Sequence, residues 1–284
     1  MNAILLAVVF AVFNISGAIP KPVPFVTRQG ESVRTFSYNS LAANGPPSWF
    51  SLAPDYATCG SGQAQSPIDF PCPADLEGTP DILEEEPVLS TTITKLTFVN
   101  TTGNFELDCE QEGSCGKTKF NGEEFDLINI HFHSPSEHHV GGVTYPLEAH
   151  MVHRSSEGAL LVVSILFSYG GEEDCITSAP SRKGRNRSFS QILSHVLKGR
   201  SEFPVNTGAF LEQDTSFCMY SGSLTTPPCT EKVTWILAET RQTISPLQVK
   251  LFQKIVGGLE FGNARPIQAR NGRTVAFALD LISA

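Results

Sequence analysis

The sequence predicts a mainly β protein with a few short helices, folded as a single domain around a large, mostly antiparallel twisted sheet. Strand-like runs recur at Thr91–Val99, Asn104–Cys109, Asp126–His133, Leu147–His153, Leu160–Phe167, Val233–Ala238 and Thr274–Leu279. Only two stretches carry a helical pattern. The connections do not alternate strand with helix, which argues against a Rossmann-type or TIM-barrel arrangement of parallel strands. The length of 284 residues fits one large β-rich domain.

Taken in chain order, residues 1–18 read as a secretory signal peptide. An uninterrupted apolar run from Ala3 to Phe13 is followed by the small residues Ser16, Gly17 and Ala18. The run is shorter than the roughly 20 residues that cross a bilayer as a helix, so no membrane span is expected in the mature chain. Residues 19–35 read as an irregular N-terminal arm, within a stretch rich in Pro, Gly, Asn and Ser. Seven cysteines in a secreted chain suggest disulfides with at least one thiol left over. Cys109 and Cys115 enclose a short Gly-containing loop that can close locally. The sequons at Asn100 and Asn186 are candidate glycosylation sites.

The first helix is marked by Phe189, Ile192, Leu193, Val196 and Leu197, which repeat as one buried face. The second opens with Ser245-Pro246-Leu247-Gln248, a capping box with Pro at the first helical position, and ends at Gly257-Gly258. Before the first helix, Gly170–Arg187 carries Arg182, Lys183, Arg185 and Arg187. Glu172, Glu173 and Asp174 offset them, so the segment reads as a solvated loop and not a polyanion site. The net charge of −9 likewise argues against nucleic acid as a partner, and 26 aromatic residues exclude a disordered chain.

Histidine is the informative residue. Six of the seven, His131, His133, His138, His139, His150 and His153, fall between positions 131 and 153. Side chains on a strand alternate between faces, so Asn129, His131 and His133 share one face while Ile128, Ile130 and Phe132 share the other. On the next strand Glu148, His150 and Val152 share a face. Gly141-Gly142 lets that strand return antiparallel. Three imidazoles then meet at one point with a fourth position left open, the arrangement of a catalytic zinc site; structural zinc sites are usually closed by four protein ligands. Asn129 and Glu148 can each accept a ring N–H from the histidine two residues on and so fix its tautomer. His138, His139, His153 and His195 fall outside this set and read as structural or exposed.

These residues resemble a known family. HFHSPSEHHVGGVTYPLEAHMVH, followed by SLTTPPC and VTW, is similar to the α-class carbonic anhydrases. NGPPSW (Asn44–Trp49), QSPIDF (Gln65–Phe70) and NARP (Asn263–Pro266) extend the likeness from about Tyr38 to the C-terminus, so the catalytic domain is expected over residues 36–284. The resemblance implies a secreted, zinc-dependent lyase in which hydroxide on the zinc attacks CO2, giving bicarbonate and a proton, with weak ester hydrolysis as a side activity. It implies that His131, His133 and His150 bind Zn2+, and that the Asn263 carbonyl orients His133. Thr225 would accept a hydrogen bond from the hydroxide and donate its own to Glu137. Thr226 would help hold bicarbonate, and Val152, Val162, Leu224 and Trp235 would wall the CO2 pocket. Two departures follow from the same comparison. Asn129 stands where the family often has Gln, which keeps the amide. Asn104 stands at the position of the proton-carrying His of the fastest members, and Asn does not titrate. A disulfide between Cys59 and Cys229 is also implied.

The resemblance leaves room for a catalytically silent binding or storage relative, but such chains usually lack one or more of the three histidines, and all are present here. A metalloprotease is not supported, because the sequence contains no His-Glu-x-x-His.

Overall fold

Period-two burial organises most of the chain, which a computed structural model describes over residues 36–72, 81–83, 85–90, 92–101, 103–170, 185–211, 215–257 and 261–278. The expected signal peptide and arm, and residues 171–184 of the charged loop, lie outside the described residues. The strands are β1 (Asp69–Phe70), β2 (Asp81–Ile82), β3 (Val88–Ser90), β4 (Ile93–Thr101), β5 (Asn104–Asp108), β6 (Lys117–Phe120), β7 (Glu123–His133) and β8 (His139–Val140). They continue with β9 (Val143–Thr144), β10 (Leu147–Ser155), β11 (Leu160–Ser168), β12 (Glu202–Asn206), β13 (Phe217–Ser223), β14 (Glu231–Ala238), β15 (Gln242–Thr243) and β16 (Ala276–Phe277). The α-helices are α1 (Trp49–Leu52), α2 (Thr58–Ser61), α3 (Arg187–Leu197) and α4 (Pro246–Ile255).

Among the described residues, 13 strands form one sheet whose main path is β12-β4-β5-β7-β10-β11-β14-β13-β16-β2, and β1, β8 and β9 form a smaller one. Neighbours on the main path pair antiparallel except β11 with β14 and β16 with β2. The sheet is therefore mixed. The parallel β11–β14 pair needs a long crossover, and the intervening chain, which carries α3, β12 and β13, supplies it.

Register sets the two faces. His131, His150, Ser164 and Leu237 align across β7, β10, β11 and β14, and Glu148 stands opposite His133. Asn129, Val152, Val162, Trp235 and Tyr220 form the adjacent row, ending on β13. On this face Val152, Val162, Leu166, Tyr220, Trp235 and Leu237 make one apolar cluster. The opposite face buries Ile130, Phe132, Ala149, Met151, Val163 and Ile165 beneath Phe189 and Ile192 of α3 and Val249 and Phe252 of α4. Each fully buried side chain of this size contributes roughly 1.5–3 kcal/mol of transfer free energy, which holds the helices against the sheet.

Local sequence rules account for the helices. Asn186 caps α3 by accepting the Phe189 N–H at 2.9 Å. Ser245 and Gln248 form the expected capping box of α4, with Pro246 first in the helix. Leu197, assigned to the buried face, is instead 41% exposed, because it lies in the last turn, where α3 leaves the sheet. The expected disulfide Cys59–Cys229 is present and spans 170 residues, and Cys109–Cys115 closes its local loop. Cys218 is a buried thiol.

Other features also depart from the sequence reading. β12 and β13 are not among the expected strands: β12 contains Pro204, tolerated where the strand pairs with β4 alone among the described residues, and the Ser and Gly residues of β13 dilute its pattern. Of the expected C-terminal strand, the described residues form Ala276–Phe277 alone, and Leu279 lies outside them. Finally, Ile128 does not share a face with Ile130. Val152 pairs with Asn129 and His153 with Leu127, so Ile128 is the extra residue of a β-bulge and packs with the Val152–Trp235 cluster.

Candidate metal centre

The β7–β10 pair carries all three expected ligands. His131 lies directly opposite His150, and His133 is two residues along β7. Each ring has one nitrogen taken by an acceptor. His131 Nδ1–H donates to the Asn129 side-chain oxygen at 3.0 Å, and His133 Nδ1–H donates to the Asn263 carbonyl at 2.7 Å. His150 uses the other nitrogen, Nε2, to donate to Glu148 Oε1 at 2.6 Å. The remaining atoms, His131 Nε2, His133 Nε2 and His150 Nδ1, belong to a group whose ligand atoms lie within 4.8 Å of one another.

This convergence fits a cation. With their protons committed elsewhere, His131 Nε2 and His150 Nδ1 face each other at 3.2 Å as two lone pairs. His133 Nε2 is buried with no hydrogen-bond partner. Burial holds the pKa of His131 well below its usual value, with the neighbouring His150 and His133 adding to the effect. Burial pushes His133 down to about 4 and lowers His150 as well. The rings are therefore neutral at pH 7, as metal ligands must be.

Glu148 is more heavily engaged than the sequence indicated. Oε1 accepts from His150, from His138 Nδ1 at 2.7 Å and from the Ser164 hydroxyl at 2.6 Å. Oε2 accepts the main-chain N–H groups of Glu137 and His138 at 2.7 and 2.8 Å. Burial alone would raise its pKa, but the pull of His138 and His150 and their hydrogen bonds outweigh it and hold the group well below the carboxylate range. His138 was read as structural. It is buried, and its Nε2 accepts from the Tyr220 hydroxyl at 2.7 Å, which in turn meets the Ser66 hydroxyl at 2.7 Å. Sequence spacing gave no signal for Ser164 or Tyr220, since both reach the site only through strand register.

Glu137 Oε1 accepts the Arg265 N–H at 2.8 Å, and Oε2 lies 3.5 Å from His133 Nε2. Burial raises this carboxyl to about 7 against the opposing pull of His150, the Arg265 amide and the nearby Thr225. Thr225 is buried. Thr226 is partly exposed and opens a turn in which its carbonyl accepts the Cys229 N–H at 2.8 Å, so the Cys59–Cys229 disulfide anchors the far end of that turn. Val152, Val162 and Trp235 are buried together with Leu224 packed against them, and the Trp235 ring centroid is 4.8 Å from that of His150. Asn104 opens β5, and its side-chain oxygen accepts from the Tyr38 hydroxyl at 3.3 Å. The other histidines stand apart: His153 is buried against Thr118, His139 meets Thr144, and His195 stacks on Phe203.

A trio of neutral imidazoles beside an apolar wall, on this sheet, has a counterpart among known proteins. The sequence profile of the eukaryotic-type carbonic anhydrases matches residues 44–278. The chain belongs to that family. The general reaction of carbonic anhydrases is CO2 hydration. The chain is 34% identical to carbonic anhydrase Nec1 of Nesocodon mauritianus over 85% of its length and 84% of the relative's. It resembles a structure of dioscorin complexed with ascorbate at 31% identity and a TM-score of 0.73, covering 86% of this chain and 98% of that one. It also resembles the α-carbonic anhydrase of Thermovibrio ammonificans, solved with the inhibitor sulfanilamide, at 29% identity and a TM-score of 0.68, covering 85% and 98%.

Proposed function

We propose that this chain is a secreted, zinc-dependent carbonic anhydrase that reversibly converts CO2 and water to bicarbonate and a proton. The observation that carries the reading is the trio His131, His133 and His150, each with its outer nitrogen held by a separate acceptor and its inner nitrogen turned to a common point. Zinc bound there would lower the pKa of a coordinated water to about 7, as in carbonic anhydrases generally, and so supply a nucleophile at neutral pH.

The surrounding residues have defined tasks in this reading. Asn129, Glu148 and the Asn263 carbonyl keep each ring in the tautomer that presents a lone pair inward. Thr225, buried beside Glu137, would give its hydrogen to that carboxylate, and would then offer only an acceptor to the nucleophile and select one that carries a proton. Val152, Val162, Leu224 and Trp235, joined by Ile128, offer an uncharged substrate a surface without competing polar groups. Thr226, at the partly exposed turn, helps hold bicarbonate before water displaces it. The same centre would cleave activated esters slowly. The reading also takes residues 1–18 as a signal peptide and the disulfides as marks of an oxidising compartment. Among the described residues no helix is long and apolar enough to cross a membrane.

The test is CO2 hydration by the purified protein before and after chelation, with zinc content measured in parallel. The expected result is about one zinc per chain and activity that chelation abolishes, zinc restores and a primary sulfonamide inhibits. The similarity to dioscorin supports a second reading, a binding protein on the same fold. Zinc-loaded protein without hydration activity would favour it.

A further inference from the structure

A cavity of about 360 Å³ is lined in part by Pro135, Ser136, Ala264 and Arg265, neighbours in the chain of groups at the metal centre. We propose that it is a second small-molecule site, one that takes an aromatic carboxylic acid. Its apolar walls are Leu41, Pro135, Phe261 and Pro266. Leu41 is 89% exposed and Phe261 52% exposed, so two large apolar side chains stand in solvent on the walls of one pocket. A flat ring slotted between them removes apolar surface from water on both sides. The polar part of the lining is Ser40, His139 and Thr144, with His139 Nε2 3.1 Å from the Thr144 hydroxyl. Among the described residues no carboxylate lines this pocket, and the His139 ring and the Ser40 and Thr144 hydroxyls put hydrogen-bond donors on its wall, while the Arg265 guanidinium is buried and turned to Gln65, Ser66 and Cys59. Donors without a carboxylate beside them accept an anionic oxygen and leave a cation unpaired.

The pocket and the metal centre share walls. Pro135 and Ser136 line the cavity and connect His133 to Glu137. Arg265 lines it and gives its amide to Glu137, one residue beyond Ala264 and two beyond the Asn263 carbonyl that holds His133. Tyr38 lines it and donates to Asn104. A bound acid that shifts any of these three segments also shifts a group of the centre, and linkage makes the coupling reciprocal.

The experiment titrates trans-cinnamate calorimetrically into the protein after saturation with sulfanilamide, so that the carboxylate cannot compete for the metal. Saturable binding is expected. Leu41→Ala/Phe261→Ala should weaken it about tenfold or more, and His139→Gln by several-fold, with unliganded CO2 hydration unchanged in both variants. The sulfanilamide dissociation constant should change about fivefold when the pocket is filled, in the wild type only. No binding of cinnamate, or equal binding by wild type and variants, overturns the site. Binding that leaves sulfanilamide affinity unchanged overturns the coupling. The coupling rests on the zinc reading, but the site does not: a protein without zinc or hydration activity can be titrated as isolated, and cinnamate binding sensitive to Phe261 would then uphold the pocket while the enzyme reading fell.

Discussion

Glu148 accepts the Nε2–H of His150 at 2.6 Å and thereby decides that Nδ1, not Nε2, faces the other two histidines. The same carboxylate receives four further donors from His138, Ser164 and the main chain of residues 137 and 138. A group with five donors aimed at it must be an anion. Glu148→Gln replaces one oxygen with NH2, so whichever way the amide turns, some donors face a donor. If NH2 faces His150, the ring is driven to the other tautomer and its inner nitrogen carries a proton. Zinc affinity, measured by chelator competition, should fall by roughly 10–100-fold. Unchanged affinity would show that the tautomer is fixed by something other than this bond.

Thr225 separates binding from chemistry. It is buried against Glu137 and is no part of the imidazole trio. Thr225→Ala should retain zinc at wild-type stoichiometry while kcat/KM for CO2 hydration falls by about a hundredfold, the scale for losing one preorganised hydrogen-bonding group at a reacting centre. Loss of the metal along with activity would mean that Thr225 supports the fold of the site and not the nucleophile.

Asn104 accepts a hydrogen bond from Tyr38 at 3.3 Å and has no proton to exchange near neutral pH. In the proposed reaction the proton released in each turnover would then leave by way of buffer. In dilute buffer Asn104→His should raise turnover by about tenfold or more, since an imidazole can titrate there. In concentrated buffer the two proteins should match. Equal rates in dilute buffer would place the limiting step elsewhere.

The legible part of this protein is what short-range periodicity encodes. His131, His133 and His150, with Asn129 and Glu148, follow from alternation along two strands, and the structure brings them together as that alternation implies. What alternation cannot encode is register between distant strands. Ser164 meets Glu148 because it stands across from His150, and Tyr220 reaches His138 from β13, a strand whose Ser and Gly residues hide its pattern. Ile128 shows the limit within one strand, since a single inserted residue moves its side chain from the helix-covered face to the wall beside Trp235. Asn186 shows what a motif leaves out when burial is unknown. Its sequon is intact, yet the side chain is the buried cap of α3, where a glycan would displace the bond to Phe189.

His153 lends the fold a pH dependence of its own, separate from the metal. Burial pushes its pKa down to about 4, against the pull of the Met151 and Leu161 main chain and of Asp126. Nδ1–H donates to the Met151 carbonyl at 2.9 Å, so in the neutral ring Nε2 accepts from the Thr118 hydroxyl at 3.1 Å. Protonation would require Thr118 to turn away. Because the folded pKa lies below the usual unfolded value of about 6.5, the unfolded chain binds the extra proton first. The contribution is fully present above pH ~6.5 and is lost as pH falls toward ~4, amounting to roughly 3 kcal/mol at the acid end of that window. Urea midpoints of metal-free wild type and His153→Gln, followed from pH 7 to 4, check this. The variant should start lower, because it loses a fitted ring, but its stability should decline less steeply on acidification. Parallel curves would mean that His153 titrates alike in the folded and unfolded chains and that the acid sensitivity resides wholly in other groups.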